Sequence, residues 1–191
     1  MKKIKVSALG LLVLLSYNCK EVKKEAEAAT EEVESVVEEA QVESVKFMME
    51  PKSDSNVKGE VTFTAVEDKV MMMATLSGLT AGEHAIHIHE KADCSSADGK
   101  STGGHWNPTF QPHAKWGAAE GYHKGDIGNF TADAKGNATV EFSTDEWCMG
   151  CGDDTKDIIG KAVIVHQGVD DFTSQPSGAA GARVSCTGII Q

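Results

Sequence analysis

Through most of this chain hydrophobic and polar residues alternate in short runs, not at helical spacing. Val57 to Val66, Val70 to Leu76, Asn137 to Phe142 and Lys161 to His166 read as strands, separated by turn-rich stretches such as Pro51 to Asn56 and Asp133 to Asn137. No amphipathic helix of ordinary length interrupts the pattern after Val45. The sequence therefore predicts an all-β domain, an antiparallel sandwich or flattened barrel, in preference to alternating βαβ units. In the second run Met71, Met72 and Met73 stand together. They look like a copper-handling stripe, but within a strand the preferred reading is adaptable packing residues.

The first 45 residues have another texture. Lys2, Lys3 and Lys5 lead into an apolar run, Val6 to Leu15, that is too short to span a membrane as a helix. That is the order of a cleavable export signal, over residues 1–18. Cys19 follows within four residues, as the lipid-modified cysteine of a bacterial lipoprotein does. Leu15 lies one position too early for that signal, and bulky Tyr17 and Asn18 intervene, so an ordinary signal peptide is the alternative. From Lys20 to Val45 there are nine Glu, three Lys and no Gly, Pro or aromatic residue. Val22, Ala26, Ala29, Val33, Val36 and Ala40 recur at spacings of four and three, as in a helical stalk or weak coiled coil. Such a seam buries little surface, so a solvated acidic tether over residues 19–45 is expected, with the folded domain over residues 46–191.

At 191 residues, 40% hydrophobic and 25% charged, the chain has room for one domain with its own core and not for two. Its formal net charge of −11 becomes −14 if residues 1–18 are removed, because Lys2, Lys3 and Lys5 go with them. That acidic balance, with no basic run beyond the signal, argues against nucleic acid as a partner. Membrane contact is expected only through a lipid on Cys19.

Seven histidines, His84, His87, His89, His105, His113, His123 and His166, lie within 83 residues. In Ile86-His87-Ile88-His89, residues two apart share a face, so a strand can bury both isoleucines and present two imidazoles on its other side. Alone this is a weak metal signal. His105, His113, His123 and Asp126 strengthen it, because they sit in a long segment dense in Gly and turn residues. Three nitrogens and one carboxylate oxygen there can close around a tetrahedral zinc and order a loop with little apolar content. His166 ends the apolar strand Ala162 to Val165, where a side chain can reach a site outside the barrel.

Gly82-Glu83-His84-Ala85-Ile86-His87-Ile88-His89, Gly104-His105-Trp106-Asn107-Pro108, Gly125-Asp126-Ile127-Gly128-Asn129, Val165-His166, Asp170-Asp171 and Gly181-Ala182-Arg183-Val184-Ser185-Cys186 follow one another from about Val45 to Gln191. In order and approximate spacing they resemble the successive signatures of the copper,zinc superoxide dismutase family, in its secreted bacterial form. The resemblance implies a flattened eight-stranded antiparallel Greek-key barrel with long metal-binding loops, and disproportionation of superoxide. It implies copper on His87, His89, His105 and His166, and zinc on His105, His113, His123 and Asp126, with His105 as a bridging imidazolate. His84 would be a structural hydrogen-bonding residue, and Asp170 the carboxylate that bonds one histidine of each metal. Arg183, the only arginine in the chain, matches the anion-guiding residue beside copper. Cys94 and Cys186 match the family's disulfide. A copper-binding or metal-buffering lipoprotein without turnover is the rival reading, but storage needs neither Arg183 nor Asp170.

Cysteine usage fits an oxidising compartment, the periplasm or the outer surface. With Cys19 assigned to lipid and Cys94 to Cys186, the CxxC pair Cys148 and Cys151 remains. A second, local disulfide is expected there, against a third metal site or transient redox chemistry. Superoxide is an anion and the chain is acidic, so attraction must be local. The metals, Arg183 and the lysines Lys115 and Lys124 are the expected sources, since Phe172 to Ala180 carries no charge. The chain is expected to act as a monomer or homodimer.

Overall fold

Val70, Met72, Ala74 and Leu76 are buried while Lys69, Met71, Met73 and Thr75 face solvent, so the segment Lys69–Ser77 carries the period-two pattern of a half-buried strand. The computed structural model describes residues 43–190. The expectations for the export signal, Cys19 and the tether as far as residue 42 lie outside them. In chain order the strands are β1 (Glu43–Pro51), β2 (Lys58–Val66), β3 (Lys69–Ser77), β4 (Gly82–His89), β5 (Gly128–Ala132), β6 (Ala138–Thr144), β7 (Ala162–His166) and β8 (Arg183–Gly188). One turn of 3-10 helix, Lys100–Thr102, is the only helical element among the described residues.

The strands hydrogen-bond in the order β5-β4-β7-β8-β1-β2-β3-β6, and every ladder is antiparallel. Chain order and sheet order part company after β3, β5 and β6, which is Greek-key connectivity. β5 and β6, at the two ends of the order, approach one another and leave a nearly closed, flattened barrel. β1 joins the two halves: Glu43 to Met49 pair with β2, and Glu50 and Pro51 pair with Cys186 and Ser185 of β8. The strand begins at Glu43, three residues inside the stretch read as tether.

Val61, Phe63, Met72, Ile86, Ile88, Val163, Val165 and Ile189 meet in the barrel core. Each such apolar side chain contributes about 1.5–3 kcal/mol on burial. The other face of β7 and β8 is covered too, because Ala162, Ile164 and Cys186 pack with Cys94 from the loop after β4. The disulfide Cys94–Cys186 fastens that loop, and a second joins Cys148 to Cys151. Thiol titration of the denatured, unreduced protein is expected to find no free thiol among these four. Two that map to Cys148 and Cys151 would remove the second bridge. The expected turn at Asp133 to Asn137 is built by Asp133, whose Oδ1 accepts from the amides of Lys135 and Asn137, both at 2.8 Å.

Candidate metal centre

β4 sends its two faces to different uses. Ile86 and Ile88 enter the core, while His87 and His89 are buried beneath the loop of residues 90–127. That loop is sewn to the strand through backbone: Ile88 N donates to Gly125 O (2.9 Å), Trp106 N to Ile88 O (2.8 Å) and Glu90 N to Gly104 O (3.1 Å). His105 is thereby set beside His89 as its bridge partner. A side chain at Gly125 would place its Cβ 2.1 Å from Ile88 O, so this close approach requires glycine. β7 brings in His166 at its end, where a shift in register after Val165 sets it opposite Arg183 of β8.

Two groups result. His87, His89, His105 and His166 form one, and His105, His113, His123 and Asp126 the other. Within each, the candidate ligand atoms lie within 4.8 Å of one another, and every residue is buried. Four buried nitrogens, His87 Nδ1, His105 Nε2, His113 Nδ1 and His123 Nδ1, lack a hydrogen-bond partner. Each such group costs about 1–3 kcal/mol, and all four belong to residues of these two groups, which points to something they bind. Asp126 Oδ1 lies 2.8, 3.0 and 3.2 Å from the Nδ1 atoms of His105, His113 and His123. A tetrahedron with metal bonds of about 2.0 Å has edges of roughly 3.3 Å. The three edges that meet at Asp126 Oδ1 therefore have about the lengths that such a corner requires.

The opposite nitrogens are tied down. His87 Nε2 and His113 Nε2 donate to Oδ2 and Oδ1 of the same carboxylate, Asp170, at 2.8 and 2.9 Å, and His89 Nδ1 donates to Gly103 O at 3.0 Å. Asp170 thus holds one imidazole of each group. It is itself clamped by Asn129, which accepts from Asp170 N and donates to Asp170 O, both at 2.8 Å. Gln175 clamps the backbone of His113 in the same way, at 2.9 and 2.8 Å. Gly178, at φ +68, leaves room for the Asp170 carboxylate that any Cβ would strike. The sequence reading does not pick out Gln175 or Gly178, and nothing local marks them. Asn129 stands inside a motif quoted above, which was its one signal. His84 is held away from both groups, its ring nitrogens facing His166 O (3.0 Å) and Thr80 O (2.9 Å).

Burial keeps His87, His89 and His166 below the ordinary imidazole range and takes His105 down to about 4, so all four are neutral, the form that ligates, at pH 7. Burial opposes charge on His113 as well, but the neighbouring carboxylates of Asp126 and Asp170 outweigh it and raise this residue to about 9. Again against burial, His105, His113 and His123 beside Asp126, and His113 and His87 beside Asp170, hold both carboxyls well below their usual range.

A cleft of about 740 Å³ opens over the all-histidine group, lined by His89, His105 and His166 together with Glu90, Lys100 and Arg183. Arg183 Nη1 donates to Gly99 O and to Thr102 Oγ1, each at 2.9 Å, which fixes the guanidinium at the cleft wall. Burial lowers its pKa, yet a guanidinium remains charged. The expected lysines fare differently. Lys124 is ion-paired with Glu146 and neither it nor Lys115 lines the cleft, whereas Lys100 does. Glu146 lies 22 residues from Lys124 in sequence, beyond the reach of local pattern.

Residues 57–190 match the family model described as copper/zinc superoxide dismutase (SODC). The chain belongs to the copper/zinc superoxide dismutase family. It is 38% identical over 141 residues to a Cu-Zn superoxide dismutase of Caulobacter vibrioides, covering 72% of this chain and 80% of that one. It is 35% identical over 159 residues to the extracellular Cu-Zn superoxide dismutase of Drosophila melanogaster, with coverage of 78% and 84%. The crystal structure of a SOD-like protein from Bacillus subtilis matches with a TM-score of 0.67 at 25% identity, over 76% of this chain and 97% of that one. Copper and zinc come with membership of the copper/zinc superoxide dismutase family, and the unpartnered nitrogens and the corner-like Asp126 geometry fit them.

Proposed function

We propose that this chain disproportionates superoxide to dioxygen and hydrogen peroxide, with copper on His87, His89, His105 and His166 and zinc on His105, His113, His123 and Asp126. The observation that carries the reading is His105. It is buried, its Nε2 has no hydrogen-bond partner, and its Nδ1 lies 2.8 Å from Asp126 Oδ1. An imidazole so placed has one nitrogen for each group, as a bridging imidazolate requires. Four imidazoles suit a copper that changes oxidation state, and three imidazoles with a carboxylate suit redox-inert zinc.

When bound, copper supplies the one-electron acceptor and donor for the reaction, which turns two superoxide ions and two protons into one dioxygen and one peroxide. The residues do the rest. Arg183 holds the anion at the cleft wall by charge-assisted hydrogen bonds. His105 Nε2 takes up one proton and returns it to the departing peroxide, while Nδ1 stays engaged on the Asp126 side and cannot compete for it. Solvent in the cleft delivers the second proton. Asp170 keeps the rings of His87 and His113 in place. A metal-buffering role would leave unexplained why Arg183 is braced at an open cleft.

The proposal extends to the amino terminus: an export signal over residues 1–18, lipid on Cys19 and an acidic tether carry the domain to the periplasm or outer surface. Two disulfides and an extracellular relative support an oxidising compartment. Metal analysis and a cyanide-sensitive dismutation assay test the function. One copper and one zinc per chain with turnover are expected, and copper alone after loading with both metals would refute the bimetallic centre. Arg183→Ala should keep both metals, lose on the order of tenfold in rate and flatten the salt dependence. An unchanged rate would take away its assigned role.

A further inference from the structure

β3 carries a second pair of side chains two residues apart, on the outer face of the sheet. Met71 and Met73 are each 50% exposed, whereas Met72 between them is 1% exposed and packed in the core. Packing therefore accounts for Met72 and leaves its neighbours unexplained. In the ladder Met71 lies between Thr64 of β2 and Ser143 of β6, and Met73 between Thr62 and Glu141. All six residues line one concavity of about 390 Å³. The cross-strand neighbours are small hydroxyl residues except Glu141, so the two thioethers face open space beside one carboxylate.

We propose that Met71 and Met73, with Glu141 beside them, form an exposed binding site for a cuprous ion, separate from the histidine centre. Thioether sulfur is a soft, neutral ligand of the kind that selects Cu(I), whereas zinc takes cysteine thiolate, imidazole or carboxylate and not methionine. Positions two apart on a strand are about 7 Å from one another, and methionine has three rotatable bonds, so both sulfurs can turn onto one ion. The Glu141 carboxylate balances its charge. A cuprous ion held on this open face can pass to any other soft donor that approaches it. None of these residues belongs to either group of the metal centre, so the site stands or fails independently of the proposed activity.

The test uses protein already loaded with copper and zinc, kept anaerobic and reduced, and titrated with cuprous ion against a chromophoric cuprous chelator. One further equivalent is expected, with the methyl carbon signals of Met71 and Met73 shifting and that of Met72 unmoved. The double variant M71L/M73L keeps the apolar volume and the dismutation rate. It should bind the extra ion more weakly by at least the roughly tenfold that loss of even an outer-shell partner costs. Glu141→Gln should weaken binding to a smaller degree, and zinc in place of cuprous ion should leave the methyl signals still. No further equivalent, equal binding by parent and double variant, or an equal response to zinc would each overturn the site.

Discussion

Replacing His105 by Ala is expected to lower the rate of superoxide disproportionation by at least about 10²-fold, the lower range for loss of a positioned proton-transfer group. The change removes more than the proposed proton carrier. His105 is the one residue common to both groups of candidate ligands, so both metals should be held less tightly after reloading. Its loss also leaves Asp126 without its shortest contact, the one of 2.8 Å to Nδ1. His113→Ala makes the informative contrast, because His113 belongs to the Asp126 group alone. There zinc should be lost and the loop loosened while copper stays bound, poorly oriented, since Asp170 keeps His87 but loses its second imidazole. Metal analysis beside the rate separates the two. Equal retention of copper and zinc in His105→Ala, with full activity, would end the shared role.

Loss of the Cys94–Cys186 bridge is the change expected to cost most in stability. It spans 92 residues, and the chain-entropy relation gives about 4.6 kcal/mol for a loop of that length, against about 1.6 kcal/mol for Cys148–Cys151, whose separation is 3. The long bridge also lies against Ala162 and Ile164, so its removal uncovers an apolar face of the barrel. The CxxC loop keeps other fastenings, including Cys148 N to Lys156 O (2.9 Å), Ile158 N to Cys148 O (3.1 Å) and the Asp157 carboxylate on the amides of Gly150 and Gly152. Denaturant midpoints of the two double Cys→Ala variants decide the matter. Equal losses would show that loop length is not what matters here.

Legibility in the sequence followed periodicity. β3 alternates without exception, β4 announces itself through Ile86-His87-Ile88-His89, and the turn before β6 carries its own Asp133. β1 was obscured because it starts in acidic sequence and has one fully buried residue, Met49, so charge masked its pairing. Asp170 showed as a candidate only through family resemblance, since its partners His87 and His113 lie 83 and 57 residues away. The aromatic cluster of Trp116, Tyr122, Phe142 and Trp147, which links the loop of residues 90–127 to β6 and the segment after it, carried no pattern at all. Three of those residues come from turns or loops, where spacing does not report facing. Met71 to Met73 shows the limit of reading a strand by type alone: one residue identity repeated three times, yet only the central one packs.

The single carboxylate of Asp170 and the shared ring of His105 make the two proposed ion-binding equilibria thermodynamically linked. Whatever factor zinc contributes to the affinity for copper, copper must return to the affinity for zinc. Filling order then leaves the final state unchanged but alters the route to it. A chain that meets zinc first gains a fixed His105 before copper arrives, so part of the ordering entropy has already been spent.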